Sequence, residues 1–210
     1  MVIPYARQSI SKLDLNAVAE VLQSDYLTQG PVVPAFEEAI AHLVAARFAV
    51  AGNSATSMLH IACLALGVTT GDLVWTSPIS FVASANCALY CGAEIDFVDI
   101  DSESFNMSPI ALAAKLELAK KSNRLPKVII PVHMGGQSCD MQAIGSLAQQ
   151  YGIKVIEDAS HAIGGTYNSQ RIGNCAHSDI TIFSFHPVKI ITSGEGGMAV
   201  TQDEGLAHSM

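Results

Sequence analysis

The sequence predicts an α/β fold in which a mostly parallel sheet is sandwiched by helices. Two observations carry that expectation. From position 48 onward, short apolar runs alternate with segments of helical length, the βα repetition that a helix-covered parallel sheet requires. Boundary residues also fall where the alternation needs them. Ser108-Pro109 supplies an N-cap followed by proline at the first helical position, Asp140 precedes a helix that Gly152 ends, and Gly71-Asp72 turns the chain into a strand.

In chain order, an N-terminal arm (1–46) carries a helix over Leu13 to Gln23, a polar loop from Ser24 to Pro31, and an amphipathic helix from Ala35 to Ala45. The large domain (47–210) then runs strand Phe48 to Ala51, helix Thr56 to Leu66, strand Leu73 to Thr76, helix Phe81 to Tyr90 and strand Ile95 to Val98. It continues with helix Pro109 to Lys120, strand Val128 to Val132, helix Met141 to Gln150, strand Lys154 to Glu157 and a buried-looking strand Ile180 to Phe185. Asp203 to Met210 reads as the opening turn of a helix, so a fragment lacking a C-terminal small domain is expected. There is no fixed-period repeat and no low-complexity tract.

Composition narrows the function classes. Of 210 residues 50% are hydrophobic and 14% charged, enough apolar material for a large core. A formal charge of −8 without a basic run argues against nucleic acid. Apolar stretches fall well short of the roughly 20 residues that span a bilayer, and residues 1–20 hold Arg7, Lys12, Asp14 and Glu20 with no continuous apolar core of a signal peptide. No membrane partner and a cytoplasmic location are expected. Five cysteines without a C-x-x-C pair fit a reduced compartment. Cys87 and Cys91 are one helical turn apart, but no histidine stands at ligand spacing beside them, so no metal is expected.

The chemistry gathers at strand ends. Lys189 lies between the strand at Ile180 to Phe185 and the glycine run Gly194-Glu195-Gly196-Gly197, where an amine beside a core shifts its pKa or reacts. Another apolar run, Val155-Ile156, ends in Glu157-Asp158. A lysine and a carboxylate at the mouths of neighbouring strands point to an aldehyde cofactor, pyridoxal 5'-phosphate. Asp158 would face its ring nitrogen. Opposite charges about 4 Å apart at an effective dielectric near 20 attract by roughly 4 kcal/mol before desolvation. Asn53-Ser54-Ala55-Thr56-Ser57 marks a strand-to-helix junction, whose free N–H groups suit an anion such as the cofactor phosphate, although the same residues also make an ordinary helix cap. Ser184 adds a hydroxyl five residues before Lys189, and Phe81 could stack on an aromatic ring or pack in the core. His133 and His161 read as satisfied polar residues at strand ends. No G-x-G-x-x-G follows the first strand, and the P-loop and G-x-S-x-G patterns are absent, so nicotinamide, nucleoside triphosphate and serine hydrolase chemistry are disfavoured.

Four motifs in order, Asn53 to Ser57, Ser77 to Phe81, Glu157-Asp158-Ala159-Ser160-His161-Ala162 and Phe183-Ser184-Phe185-His186-Pro187-Val188-Lys189, resemble the DegT/DnrJ/StrS-type sugar aminotransferases. The resemblance implies the large domain of a fold type I pyridoxal phosphate transferase, with Lys189 carrying the cofactor aldehyde and Asp158 paired with the ring nitrogen. It further implies phosphate contacts from Ala55, Thr56 and Ser184, stacking by Phe81, and His161 beside the ring hydroxyl, where many relatives have glutamine. For the substrate it implies Tyr5, Asp25, Tyr26, Leu27 and Thr28, with Ala55 and Ser184 at the same place. Leu27-Thr28-Gln29-Gly30 and Ser-Phe-His-Pro-Val-Lys bring the likeness nearest to members that aminate a UDP-linked 4-keto-6-deoxy sugar at C4 with L-glutamate as donor. A homodimer with sites at the interface is implied too. Another UDP- or dTDP-linked keto sugar stays open as substrate, as does a regulatory member of the same fold without turnover.

Overall fold

The computed structural model describes residues 6–210. A seven-stranded sheet runs through it in the order β1-β9-β8-β5-β4-β2-β3. The strands are β1 (Phe48–Gly52), β2 (Leu73–Thr76), β3 (Glu94–Phe97), β4 (Val128–Ile130), β5 (Lys154–Asp158), β8 (Ile180–Ser184) and β9 (Gly197–Thr201), while β6 (Thr166–Tyr167) and β7 (Gln170–Arg171) form a separate hairpin. Strands β3, β2, β4, β5 and β8 pair in parallel. Strand β9 runs against both β8 and β1, and it is β1's partner in the sheet.

The helices are α1 (Lys12–Gln23), α2 (Val32–Val44), α3 (Ala55–Ala65), α4 (Ala83–Tyr90), α5 (Pro109–Lys121), α6 (Met141–Tyr151) and α7 (Glu204–Ser209). Two-residue alternation along the strands decides which side each covers. Val74, Ile130, Ile156 and Ile182 face Met58, Leu59 and Cys63 of α3 and Cys87 of α4. Their neighbours Trp75, Ile129 and Val155 face Leu112 and Leu116 of α5 and Ile144 of α6. Phe183, Met198 and Val200 face Ile40 and Val44 of α2. Both faces of the sheet are therefore covered, which is why β5 from Val155 onward, β8 and β9 are buried at every residue rather than at every second one.

The expected caps are in place. Ser108 accepts from Ala111 N, Asp140 from Ala143 N, and Gly152 ends α6 in the left-handed conformation at φ 69°. Several boundaries move for identifiable reasons. Helix α2 begins at Val32 rather than Ala35, because proline is tolerated in a first turn and Pro34 sits there. Strand β4 stops at Ile130 rather than Val132, since Pro131 has no N–H to give the ladder, and Val132 keeps only an isolated bridge to Asp158. Strand β3 is shifted to Glu94–Phe97, and α4 starts at Ala83, leaving Phe81 ahead of the helix. Strand β9 and the β6–β7 hairpin were not expected from the βα rhythm.

Candidate active site

The carboxyl ends of β5 and β8 and the amino end of α3 form one edge of the sheet, and the register places the candidate residues along it. Asp158 ends β5 and pairs with Ile182, two residues before Ser184 at the end of β8. Ser184 in turn pairs with Gly197, which pairs across β9 with Gly52. By the period of two, Asp158 and Ser184 lie on the same face as Ile156 and Ile182, the face covered by α3 and α4.

Asp158 is 4% exposed, and both its oxygens are held. Ser84 Oγ of α4 donates to Oδ2 at 2.6 Å, while Ser160 Oγ donates to Oδ1 at 2.6 Å, with the Ser160 amide on the same oxygen at 3.2 Å. A carboxylate is acceptor-only, so the Ser84 proton goes to it, and the single proton of Ser80 is shared between Ser84 Oγ at 2.6 Å and its own neighbour's carbonyl, Phe81 O, at 3.1 Å. Ser80 and Ser84 thus link the head of α4 to Asp158 at the sheet edge.

The anion-binding corner is built by close approach. Ser54 caps α3, accepting from Ser57 N at 3.1 Å, and the first intrahelical bond runs from Met58 N to Ser54 O, so the amides of Ala55 and Thr56 lie ahead of the ladder. Gly197 makes room for this turn: a Cβ there would overlap the Ser54 carbonyl carbon and the Ala55 nitrogen. Ser184 is buried, with its hydroxyl accepting from His186 N at 3.5 Å.

Lys189 follows β8 in a turn closed by its own amide to His186 O at 2.9 Å, and it is half-buried. Burial lowers its pKa, with the charge of Asp158 opposing. No ion pair closes between Lys189 and Asp158 among the described residues, and the carboxylate is engaged by the two serines. His161 stands near both. Burial and then the Lys189 charge lower its pKa, again opposed by Asp158. This edge is open, flanked by exposed Phe81, Val188 and Ile190. The 540 Å³ groove between α6 and residues 176–179 includes Lys154 and Val155, at the amino end of β5 and so away from Asp158.

Phe81 is 67% exposed rather than packed in the core, three residues before Ser84. Asp25, Tyr26, Leu27 and Thr28 are exposed on the loop after α1, and no hydrogen bond links them to Asp158 or Lys189 among the described residues. Tyr5 lies outside the described residues.

Sequence reasoning missed the serines around Asp158. Only Ser160 had a local signal, since Asp158-x-Ser160 is a side-chain turn, whereas Ser80 precedes α4 and Ser84 is remote from Asp158 in sequence. It also missed the group behind the sheet. Glu157 there is buried, and burial pushes its carboxyl pKa up, but hydrogen bonds from His133, Ser178 and Thr181 outweigh that and hold it below its usual value. His133 is the satisfied polar residue expected: Cys139 N lies 3.2 Å from Nδ1 and Glu157 lies 2.8 Å from Nε2, and although burial lowers the ring's pKa, the hydrogen bonds and charges of Cys139 and Glu157 outweigh it and push it up.

A family profile for the DegT/DnrJ/EryC1/StrS aminotransferases matches residues 8–210. The chain belongs to that family. Among curated proteins it is 43% identical over 208 residues to the spore coat polysaccharide biosynthesis protein SpsC of Bacillus subtilis, covering 99% of this chain and 51% of the relative. It is 41% identical over 204 residues to a UDP-4-amino-4,6-dideoxy-N-acetyl-beta-L-altrosamine transaminase of Campylobacter jejuni, covering 97% and 52%. Among solved structures, Helicobacter pylori PseC, an aminotransferase involved in the biosynthesis of pseudoaminic acid, superposes with a TM-score of 0.90 at 33% identity, over 98% of this chain and 54% of that one. The PLP form of a putative sugar aminotransferase from Streptococcus pneumoniae gives 0.86 at 28% identity, over 97% and 54%. The chain spans about half the length of the curated relatives it matches. Family membership agrees with the α/β architecture and its mostly parallel sheet.

Proposed function

We propose that this chain supplies the pyridoxal 5'-phosphate site of a nucleotide-sugar aminotransferase, and that the observation carrying this reading is Asp158 and Lys189 on one sheet edge beside the α3 amino terminus. The donor set fits the cofactor group by group. The Ala55 and Thr56 amides with the Ser184 hydroxyl make a cradle for a phosphate, and the missing Cβ of Gly197 lets the Ser54–Ala55 peptide that opens it pack against β9. Asp158 offers an anionic acceptor to a ring N–H. Phe81, aromatic and exposed ahead of α4, would cover a ring face, and His161 would meet the ring oxygen. When bound, the protonated pyridine ring acts as the electron sink that lets an amino group pass between two carbonyl carbons.

The chain's own residues do the remaining work. Lys189, with its pKa lowered by burial, is an uncharged amine more often than an exposed lysine, which suits it both to hold an aldehyde carbon and to carry a proton to and from the substrate. Ser84 and Ser160 fix the carboxylate that orients the ring. The amino donor in this reading is L-glutamate. The acceptor is C4 of a UDP-linked 4-keto-6-deoxy sugar, giving UDP-4-amino-4,6-dideoxy-N-acetyl-β-L-altrosamine, the compound in the name of the Campylobacter relative. The protein acts in the cytoplasm as a homodimer, with Tyr5 and the loop from Asp25 to Thr28 meeting the nucleotide sugar. Exposed Leu15, Val18 and Leu22, which share one face of α1, favour such an assembly.

The test takes the full-length protein with added pyridoxal 5'-phosphate, reduces it with borohydride and maps the modified peptide. The pyridoxyl group is expected on Lys189 and absent from Lys189→Arg. Label on another lysine, or none, sinks the reading. A panel of UDP- and dTDP-linked 4-keto sugars offered with glutamate, followed by product mass, then decides the acceptor.

A further inference from the structure

His161, beside Lys189 and Asp158, takes a backbone contact on one ring nitrogen, and the contact comes from a turn built for that place. The Gly135 amide donates to His161 Nδ1 at 3.3 Å. An imidazole nitrogen accepts an N–H only through a free lone pair, so this contact favours the neutral ring with its proton on Nε2.

The turn is held by contacts on both sides. Gly135 and Gly136 sit at φ 61° and 91°, conformations that favour glycine, and a Cβ on Gly136 would stand 2.8 Å from His161 O. Asn106, 2% exposed, brackets the turn: Oδ1 accepts from Met134 N at 3.0 Å and Nδ2 donates to Gln137 O at 3.0 Å. On the near side His133 is stapled to β5 twice, its amide to Asp158 O at 3.0 Å and its ring to Glu157.

We propose that this bracketed turn is a tautomer lock: the Gly135 N–H, aimed by Asn106 and His133, holds His161 neutral with its proton on Nε2, so that the ring presents an uncharged hydrogen-bond donor to an acceptor oxygen of the bound cofactor. Asn106 and Gly135 are positioning residues in this scheme, acting through His161. The lowered pKa of His161, from burial and then from the Lys189 charge with Asp158 opposing, runs the same way. The inference rests on the proposed function for the ligand but not for the lock, which is present without one.

Full-length protein, ¹⁵N-labelled at histidine and free of cofactor, gives long-range ¹H–¹⁵N spectra that separate a protonated ring nitrogen from a bare one. His161 is expected with Nδ1 bare and Nε2 protonated at pH 7, and to titrate below its ordinary 6.5. An Nδ1–H or doubly protonated ring at pH 7 overturns the lock, whatever the protein catalyses. In Asn106→Ala, with the fold checked by circular dichroism, His161 is expected to sample both tautomers and to titrate closer to 6.5; an unchanged spectrum overturns the role of Asn106. With cofactor added, His161→Gln, an uncharged donor, is expected to keep the wild-type visible absorption maximum and His161→Leu to shift it; equal spectra overturn the contact to the cofactor. If borohydride labelling fails while the cofactor-free spectra agree, the functional reading falls and the lock stands.

Discussion

Asp158 owes its setting to hydroxyls. Removing Ser84 leaves a buried carboxylate oxygen short of a donor, which costs on the order of 1–3 kcal/mol. Ser84→Ala is therefore expected to lower the denaturation free energy by that amount. Asp158→Asn preserves the shape and loses the charge, so in the full-length protein turnover is expected to fall far more than cofactor affinity. Equal losses in both, from steady-state kinetics and cofactor titration, would make Asp158 a binding group only. Glu157 gives a pH signature. Its folded pKa lies below the ordinary 4.5, so the stabilisation is present above pH 4.5 and is lost as pH falls through the folded value. Acid denaturation is expected to steepen below pH 4.5, and Glu157→Gln to flatten that limb. Lys189, Asp158 and Ser184 were legible as residues because each sits beside a recognisable apolar run. Ser84, 74 positions from Asp158, and Gly135, 26 from His161, were not, since no periodicity links contacts across such separations.

At the scale of elements, the approach of β9 to α3 is the most exposed to substitution. Gly197→Ala drives a methyl into the Ser54–Ala55 peptide, and overpacking of this kind costs typically about 1–3 kcal/mol. Because the same peptide opens the proposed phosphate cradle, the variant is expected to lose cofactor affinity in equilibrium dialysis out of proportion to its loss in Tm. Wild-type affinity would show that the α3 amides do not hold the phosphate. Helix α2 offers a gain instead: Ala45 ends it at φ 60°, where a side chain costs roughly 1–2 kcal/mol, so Ala45→Gly is expected to raise the denaturation midpoint slightly after the glycine entropy cost. Helices with capping residues and strands buried on both faces could be read from the chain. The β6–β7 hairpin could not, because Asn168-Ser169 takes up the two positive φ angles, 48° and 64°, without the glycine that usually announces such a turn. Strand β9 stayed hidden because its short buried run follows a glycine loop rather than a helix, and the βα rhythm gave no place for it.

Over the whole molecule, the α/β class and the parallel sheet follow from composition and alternation, whereas the assembly of the site depends on one reversed strand. Strand β1, near the start of the chain, joins the sheet through β9, whose residues come about 150 positions later. On a ribosome, the segment from β2 to β8 can lay down its parallel ladder while β1 waits without an edge to pair with. Gly52, Ser54 and Ala55 then take their places only when Gly197 to Thr201 emerges and slots between β1 and β8, so the anion corner is among the last features to mature. Pulse-labelled exchange during refolding is expected to find the amides of β1 protected after those of β4 and β5, and cofactor capture to follow the slower of the two phases.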